Sequence, residues 1–223
     1  SGPVRTVVMG KEDRKKIDQA ERVKQFMNYY LTNVMEDYTP DMDQMLFYLP
    51  LAGSTFKKVY YDENLGRIVS KFVPAEHLVV PYETSDLETC PNVTQVVKMD
   101  LNDLRKMQVG GFYLDIPVIP AQQEMDGVTE EVNRIGGFEP SQIDYDCTLL
   151  ECHVDLDLEG YEDIGEDGEP TGIKMPYVVT ISQDNGQILS IRRNYREEDE
   201  MRRKINYFVH YKFLPGFGFY GLG

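Results

Sequence analysis

The chain has 223 residues, of which 41% are hydrophobic and 27% are charged, so a packed core is possible and general disorder is not expected. Its formal net charge is −15, from 38 acidic against 23 basic residues, which argues against tight binding to nucleic acid through phosphate contacts. No apolar run approaches the roughly 20 residues that a membrane helix needs, so we expect no membrane partner. The three cysteines, Cys90, Cys147 and Cys152, lack a CxxC spacing, which fits a reducing cytoplasm better than a disulfide framework or a zinc site.

Two helices are predicted at the start of the chain. Apolar residues recur at three- and four-residue spacing over 12–36, which is the pattern of an amphipathic helix. A second helix is predicted from about Pro40 to Leu49, with Thr39 as its cap. Because only a short link separates the two, they should form a helical hairpin.

The hydrophobic pattern then changes to that of strands. The stretch 56–73 predicts two strands around a turn at 62–66, and a further strand is predicted at 93–99. Residues 78–80 continue the extended character, and Pro81 bars this segment from a central strand position.

A connecting region follows these strands. Residues 102–107 predict a short helix with Asp100 as its cap. Residues 116–120 read as an extended connector between prolines, and 122–135 as one more polar helix.

The last part of the chain is rich in strand signals. A long strand is predicted at 148–158, a hairpin around Asn185-Gly186, and a final aromatic and β-branched strand at 205–213. Together they should form one antiparallel sheet or small barrel of about four strands.

The predicted fold class is therefore α+β, with an N-terminal helical hairpin packed with an antiparallel β-sheet or small β-barrel. Three parts are expected. Residues 1–110 hold the helical hairpin and a β-hairpin, 111–144 form a connector with a short helix, and 145–223 form an antiparallel β subdomain.

The most specific chemical pattern is DLDLEGYEDIGE at 155–166. It matches the spacing of a calcium-binding loop through four acidic residues and a turn glycine: Asp155, Asp157, Glu159, Gly160 and Glu166. A predicted strand precedes the segment where such a loop needs a helix, and Glu162 stands where an apolar residue is usual. We therefore expect an acidic solvated loop between two strands and no bound metal.

Catalytic residues are not expected in this chain. Cys152 and His153 are neighbours in a predicted strand, so their side chains point to opposite faces and cannot form a nucleophilic pair. The sequence contains neither the GxxxxGK[ST] phosphate-binding loop nor a dinucleotide-binding glycine pattern after a strand. We expect no enzymatic activity and no cofactor.

The run KFLPGFGFYGLG at 212–223 mixes aromatic residues with glycines. Phe217, Phe219 and Tyr220 lie beyond the last predicted strand with few local neighbours to cover them, so they are the candidates for an assembly interface. The alternative is a strand that ends in a Pro-Gly turn and packs locally.

Three stretches, in this order, resemble the portal proteins of tailed bacteriophages, especially short-tailed ones: ERVKQFMNYYLTNVMEDY, LFYLPLAGSTFKKVYYDENLGRIVSKFVPAEHLVVPY and NYFVHYKFLPGFGFYGLG. The resemblance covers most of residues 20–223 and is weakest at 120–145 and in the acidic loop. It implies a structural subunit of the head-to-tail connector, in the outward-spreading wing region of a ring that is usually a dodecamer. Since the chain lacks an initiator Met and stops inside the glycine-aromatic run, we expect it to be part of a longer polypeptide.

The same resemblance implies the partners and the location. The partners would be other portal subunits, the terminase, capsid and scaffold proteins and tail adaptor proteins, with DNA passing through the channel without specific binding. The protein would be part of the virion and be assembled in the host cytoplasm.

Two other functions stay open. One is a metal-dependent hydrolase or nuclease that uses Asp155, Asp157 and Glu159, which metal-dependent DNA cleavage would reveal. The other is a virion adaptor module with no portal role, which the absence of rings in electron micrographs would indicate.

Overall fold

The computed structural model describes residues 2–11, 13–62, 65–118, 146–165 and 167–223. They fall into two units. The first comprises Ser1–Glu76, Thr84–Glu88 and Asn206–Gly223, and the second comprises His77–Glu83 and Thr89–Ile205. Each unit is built on one antiparallel sheet, and the α+β class predicted from the sequence is confirmed.

Within the described residues the α-helices are α1 (Arg14–Tyr29), α2 (Tyr38–Ala52) and α3 (Leu101–Val109). The N-terminal helical hairpin, α1 followed by α2, is as predicted. The end of α1 differs from the prediction of one regular helix over 12–36. After Tyr29 the chain continues as a π-helical turn, in which the Met35 amide donates to the Tyr30 carbonyl five residues earlier.

The start of α2 corrects one prediction. The helix begins earlier than predicted, because its N-cap position is Asp37, two residues before Thr39, and Pro40 lies in its first turn as expected. The Asp37 side chain makes no capping bond and instead pairs with Arg67 and Lys71 of the sheet. Thr39 therefore lies within the helix and does not cap it.

The strands of the described residues are β1 (Ser54–Asp62), β2 (Arg67–Pro74), β3 (Leu78–Val79), β4 (Val93–Asp100), β5 (Asp146–Leu156), β6 (Met175–Ser182), β7 (Ile188–Arg193) and β8 (Phe208–Lys212). The first unit has the strand order β2-β1-β8, and the second has β3-β4-β5-β6-β7. As Pro81 suggested, β3 is an edge strand.

The position of β8 differs from the prediction. This strand was expected to join the sheet of residues 145–223, but it pairs antiparallel with β1, with Phe56 opposite His210. The first sheet thus joins two strands from the first half of the chain with one from its last twenty residues.

Two other local signals of the sequence are confirmed. Asp100 caps α3 by accepting a 2.7 Å hydrogen bond from the amide of Asn102. The β6–β7 hairpin turns at Gly186, whose φ of 68° is one that glycine adopts without strain. The polar helix predicted at 122–135 lies outside the described residues.

Within the five-stranded sheet, β6 is buried on both of its faces, since nearly every one of its residues is buried. One core cluster consists of Leu104, Tyr113, Cys147, Leu149 and Leu189. The other consists of Met175, Tyr177 and Val179. Since successive residues of a strand point to opposite faces, a strand between two cores needs a continuous apolar run such as MPYVVTIS.

In the first unit, α2 packs on the sheet through Met45, which is fully buried, and through an ion pair between Asp41 and Lys57. The Lys57 ammonium is 2.6 Å from Asp41 Oδ2, and its side chain is only 2% exposed. A buried ammonium needs such a partner, because desolvation without compensation costs several kcal/mol.

The outer edge of β2 is covered by side chains rather than by another strand. The Phe72 amide donates a 2.8 Å hydrogen bond to Asp41 Oδ1, and the Ile68 amide donates a 3.1 Å bond to the Tyr30 hydroxyl. Asp41 therefore pairs with the buried ammonium of Lys57 and also accepts a hydrogen bond from an amide at the edge of the sheet.

Candidate assembly surface

The C-terminal run that was singled out in the sequence folds as a short hairpin after β8. Leu214 and Leu222 exchange two backbone hydrogen bonds, of 3.2 and 2.9 Å. The glycine-aromatic segment forms the loop between them, and the Phe213 amide fixes the hairpin to the carbonyl of Gly53 at 3.0 Å.

A buried serine connects this hairpin to the sheet. Ser54 Oγ accepts a 2.7 Å hydrogen bond from the amide of Gly221 and shares a 3.0 Å hydrogen bond with Nε2 of His210. A Cβ on Gly221 would lie 2.4 Å from the Gly53 carbonyl oxygen, so any larger residue would push the hairpin away. The glycines thus permit close approach of backbones, here within the chain itself.

The three interface candidates lie in different surroundings. Phe219 is only 6% exposed, because its ring packs against the rings of Phe56 and His210. The distance between ring centroids is 5.8 Å to Phe56, on which it stacks, and 4.6 Å to His210. The expectation that it lies open is therefore wrong. Tyr220 contacts Phe219 edge-on and is about half exposed, and Phe217 at the tip of the hairpin is fully exposed.

Other apolar side chains extend this surface. Gly223 lies against the carbonyl of Leu51 at the end of α2, so the hairpin and the helix end are neighbours. We call the exposed apolar side chains of these two elements the C-terminal patch, which comprises Leu51, Phe213, Leu214, Phe217, Tyr220 and Leu222. Exposed apolar groups that cluster in this way characterise interaction sites.

The sequence did not identify Leu51, Leu214 or Leu222 as parts of this surface. Their only signal was apolar character next to glycine and proline. What brings them together is the hydrogen bonding of the hairpin to Gly53, between residues far apart in the chain.

Protonation of His210 should destabilise the first unit. Burial, with a contribution from Lys212, lowers the pKa of His210 from 6.5 to about 4. Between these values the unfolded chain binds a proton that the folded chain does not, so stability should be full above pH 6.5 and fall as the pH drops towards 4. The melting temperature, measured as a function of pH, should change less for His210→Gln than for the wild type in this window. Parallel curves for the variant and the wild type would show that His210 is not the group responsible.

The acidic segment lies between β5 and β6, as predicted for a solvated loop. Asp155 lies within β5, and Asp157 and Glu159 follow it as exposed side chains. Gly160 has a φ of 83°, which fits the sharp turn expected there. Glu166 lies outside the described residues.

The best-connected acidic residue of the loop is one that the sequence prediction did not name. Asp163 accepts a 2.8 Å hydrogen bond from the Thr171 hydroxyl and pairs with Arg202. In the described part of the chain, no three His, Cys, Asp or Glu side chains are grouped so that they could hold a metal ion. The hypothesis of a metal-dependent enzyme gains no support from these residues.

Two of the histidines lie in different sheets. His153 lies in β5 and contacts Glu151 Oε1 at 2.8 Å, whereas His210 lies in β8 of the other sheet. Over the residues that the structure describes, no helix is long and apolar enough to cross a membrane.

The fold and this surface define an α+β protein of two antiparallel sheets with an exposed apolar hairpin. Comparison with known protein families finds no match, and a search of curated proteins finds no relative.

Proposed function

We propose that the chain is a structural subunit of a bacteriophage portal ring, the head-to-tail connector through which DNA is packaged and ejected. The observation that carries the proposal is the C-terminal patch, in which a fully exposed Phe217 sits on a hairpin held in place by the buried Phe219. This hairpin is part of NYFVHYKFLPGFGFYGLG, one of the three stretches that resemble portal proteins.

A ring subunit needs apolar contact surfaces that are already formed before assembly. Packing of Phe219 on Phe56 and the hydrogen bonds at Ser54 fix the hairpin, so little conformational entropy remains to be lost when Phe217 meets a neighbour. A net charge of −15 suits a protein along which DNA passes without binding, because like charges repel. In this role the chain performs no covalent chemistry, works in the virion, and meets other portal subunits, terminase, capsid and tail proteins.

Replacing Phe217 with alanine in the whole polypeptide should lower the yield of rings. Burying an aromatic side chain contributes about 1.5–3 kcal/mol, and a ring repeats that contribution at every subunit. The measurement is a count of rings in electron micrographs of the purified protein. Tyr82→Ala is the matched control, since Tyr82 is an equally exposed aromatic residue of the second unit.

The wild-type protein decides between the two virion functions. Rings support the portal function, and their absence would favour an adaptor module. If Phe217→Ala and Tyr82→Ala form rings as well as the wild type does, the C-terminal patch is not the assembly surface.

A further inference from the structure

The N-terminal segment and α1 form one structural element. The Val4 amide donates to Asn28 Oδ1 at 2.8 Å, and Asn28 Nδ2 donates back to the Val4 carbonyl at 3.0 Å. Thr6 adds a hydrogen bond from its hydroxyl to the carbonyl of Ala20. We call residues 2–34, where the structure describes them, the arm–helix.

The large apolar side chains of the arm–helix are exposed. A surface helix usually turns its apolar side to the core, yet none of the residues of α1 is buried. The exposed large apolar side chains are Val7, Met9, Ile17, Val23, Phe26, Met27 and Tyr29. Phe26 and Tyr29 are neighbours on one side of α1, one turn apart, and exposed apolar groups that cluster in this way characterise interaction sites.

The charge of the arm–helix opposes that of the rest of the chain. Residues 1–34 hold seven Lys or Arg against four Asp or Glu, which leaves 16 basic and 34 acidic residues in 35–223. Lys15 and Arg22 lie two turns apart on one side of α1 with Asp18 between them, and Phe26 lies one turn beyond, so the basic residues of this side outnumber its acidic one. Both basic side chains are exposed and make no ion pair with any described residue. The partner of this surface should therefore be acidic with apolar groups among the charges.

The acidic loop between β5 and β6 has this composition. The stretch 155–173 contains no Lys or Arg, and Asp157 and Glu159 are exposed without an ion pair to the described residues. Exposed apolar side chains stand among these acids at Tyr161, Ile164 and Ile173. Asp163 accepts a hydrogen bond from Thr171 within the loop and pairs with Arg202, which ties this part of the loop to the segment that follows β7.

We propose that the arm–helix of one copy docks on the acidic loop of a second copy. The inference rests on the proposed function, since a ring subunit must bind copies of itself. The two surfaces are different, so the contact is head-to-tail, and such contacts close into rings or continue as filaments. An anionic membrane is the less favoured partner for a basic amphipathic helix here, because residues 35–223 carry more than twice as many acidic as basic groups.

The test is a paired charge reversal in the 223-residue chain. One variant carries Lys15→Glu and Arg22→Glu, and the other carries Asp157→Lys and Glu159→Lys. Sedimentation velocity over a concentration series should show association of the wild type that each variant weakens at least about tenfold. In an equimolar mixture of the two variants, the acidic helix of the first can dock on the basic loop of the second, and the basic helix of the second on the acidic loop of the first. Association should therefore return.

The recovery in the mixture separates lost binding from lost folding, and circular dichroism of each variant checks the fold. Phe26→Ser should weaken association without changing its dependence on salt, since it removes apolar contact and no charge. Wild-type protein that stays monomeric throughout, or a mixture that stays as weak as its components, would overturn the proposal.

Vesicle binding and ring formation test whether a membrane is the partner and whether the docking is needed for rings. If vesicles of phosphatidylcholine and phosphatidylserine bind the wild type and the Lys15→Glu/Arg22→Glu variant releases them, the partner is a membrane and the proposal fails. If the whole polypeptide forms rings with either reversal in place, the docking proposal fails and the portal function stands. If the wild type forms no rings but the mixture recovers association, the portal function fails and the docking stands.

Discussion

Replacing Phe219 with alanine should destabilise the first unit by about 3–5 kcal/mol, the cost of removing a buried aromatic side chain. The ring packs between elements from distant parts of the chain, stacking on Phe56 of β1 and contacting His210 of β8. Its loss would leave a cavity where the C-terminal hairpin meets the sheet. Urea unfolding followed by circular dichroism, with one transition fitted for each unit where two are resolved, measures the change.

Phe217→Ala is the matched control for this experiment. It removes the same side chain two residues away, but from a fully exposed position, so the change in stability should stay within about 0.5 kcal/mol. The two variants together distinguish anchoring from contact. Phe219 holds the hairpin, and Phe217 is available to a neighbour. Equal effects of the two changes on unfolding would show that this division of roles is wrong.

Removing the carboxylate of Asp41 should be similarly costly, at about 3–5 kcal/mol, because Asp41→Ala leaves the ammonium of Lys57 buried without its partner. The same change removes the acceptor for the Phe72 amide at the edge of β2. Asp37→Ala is the comparison, since the pairs of Asp37 with Arg67 and Lys71 are more exposed than the pair of Asp41 with Lys57, and its loss of stability should be the smaller of the two.

A double variant tests the cause of the effect. In Asp41→Leu/Lys57→Met both charges are replaced by apolar side chains of similar length, and exchanges of this kind are often close to neutral. We therefore expect urea unfolding to show that most of the loss in Asp41→Ala is recovered. A double variant as unstable as Asp41→Ala would assign the loss to the uncapped edge of β2 rather than to the buried charge.

The features that could be predicted from the sequence depend on residues close together in the chain. The turn at Asn185-Gly186 and the cap at Asp100 follow from local backbone and side-chain chemistry, and both are confirmed. The pairing of β8 with β1 could not be predicted in this way. Its strand signal is clear, but the choice of partner depends on contacts such as Phe56 with His210, across most of the chain.

The same limit applies to the candidate assembly surface. Phe217 lies between two glycines and Phe219 follows Gly218, and no strand periodicity in this segment tells which of them points inward. Lys57 and Lys58 pose a similar problem. Adjacent residues of a strand point to opposite faces, and only the position of Asp41 in the folded chain shows that Lys57 lies inside.

The covering of the β2 edge has a consequence for how the first sheet can fail. Two of its outward amides are occupied by Asp41 and Tyr30, both from the helical hairpin. We therefore expect a strand from another molecule to add less readily at this edge while the helices stay docked. If α2 detaches, these amides are uncovered at the moment when Lys57 also loses its partner. Variants that weaken the docking of α2 should then aggregate more readily than the wild type.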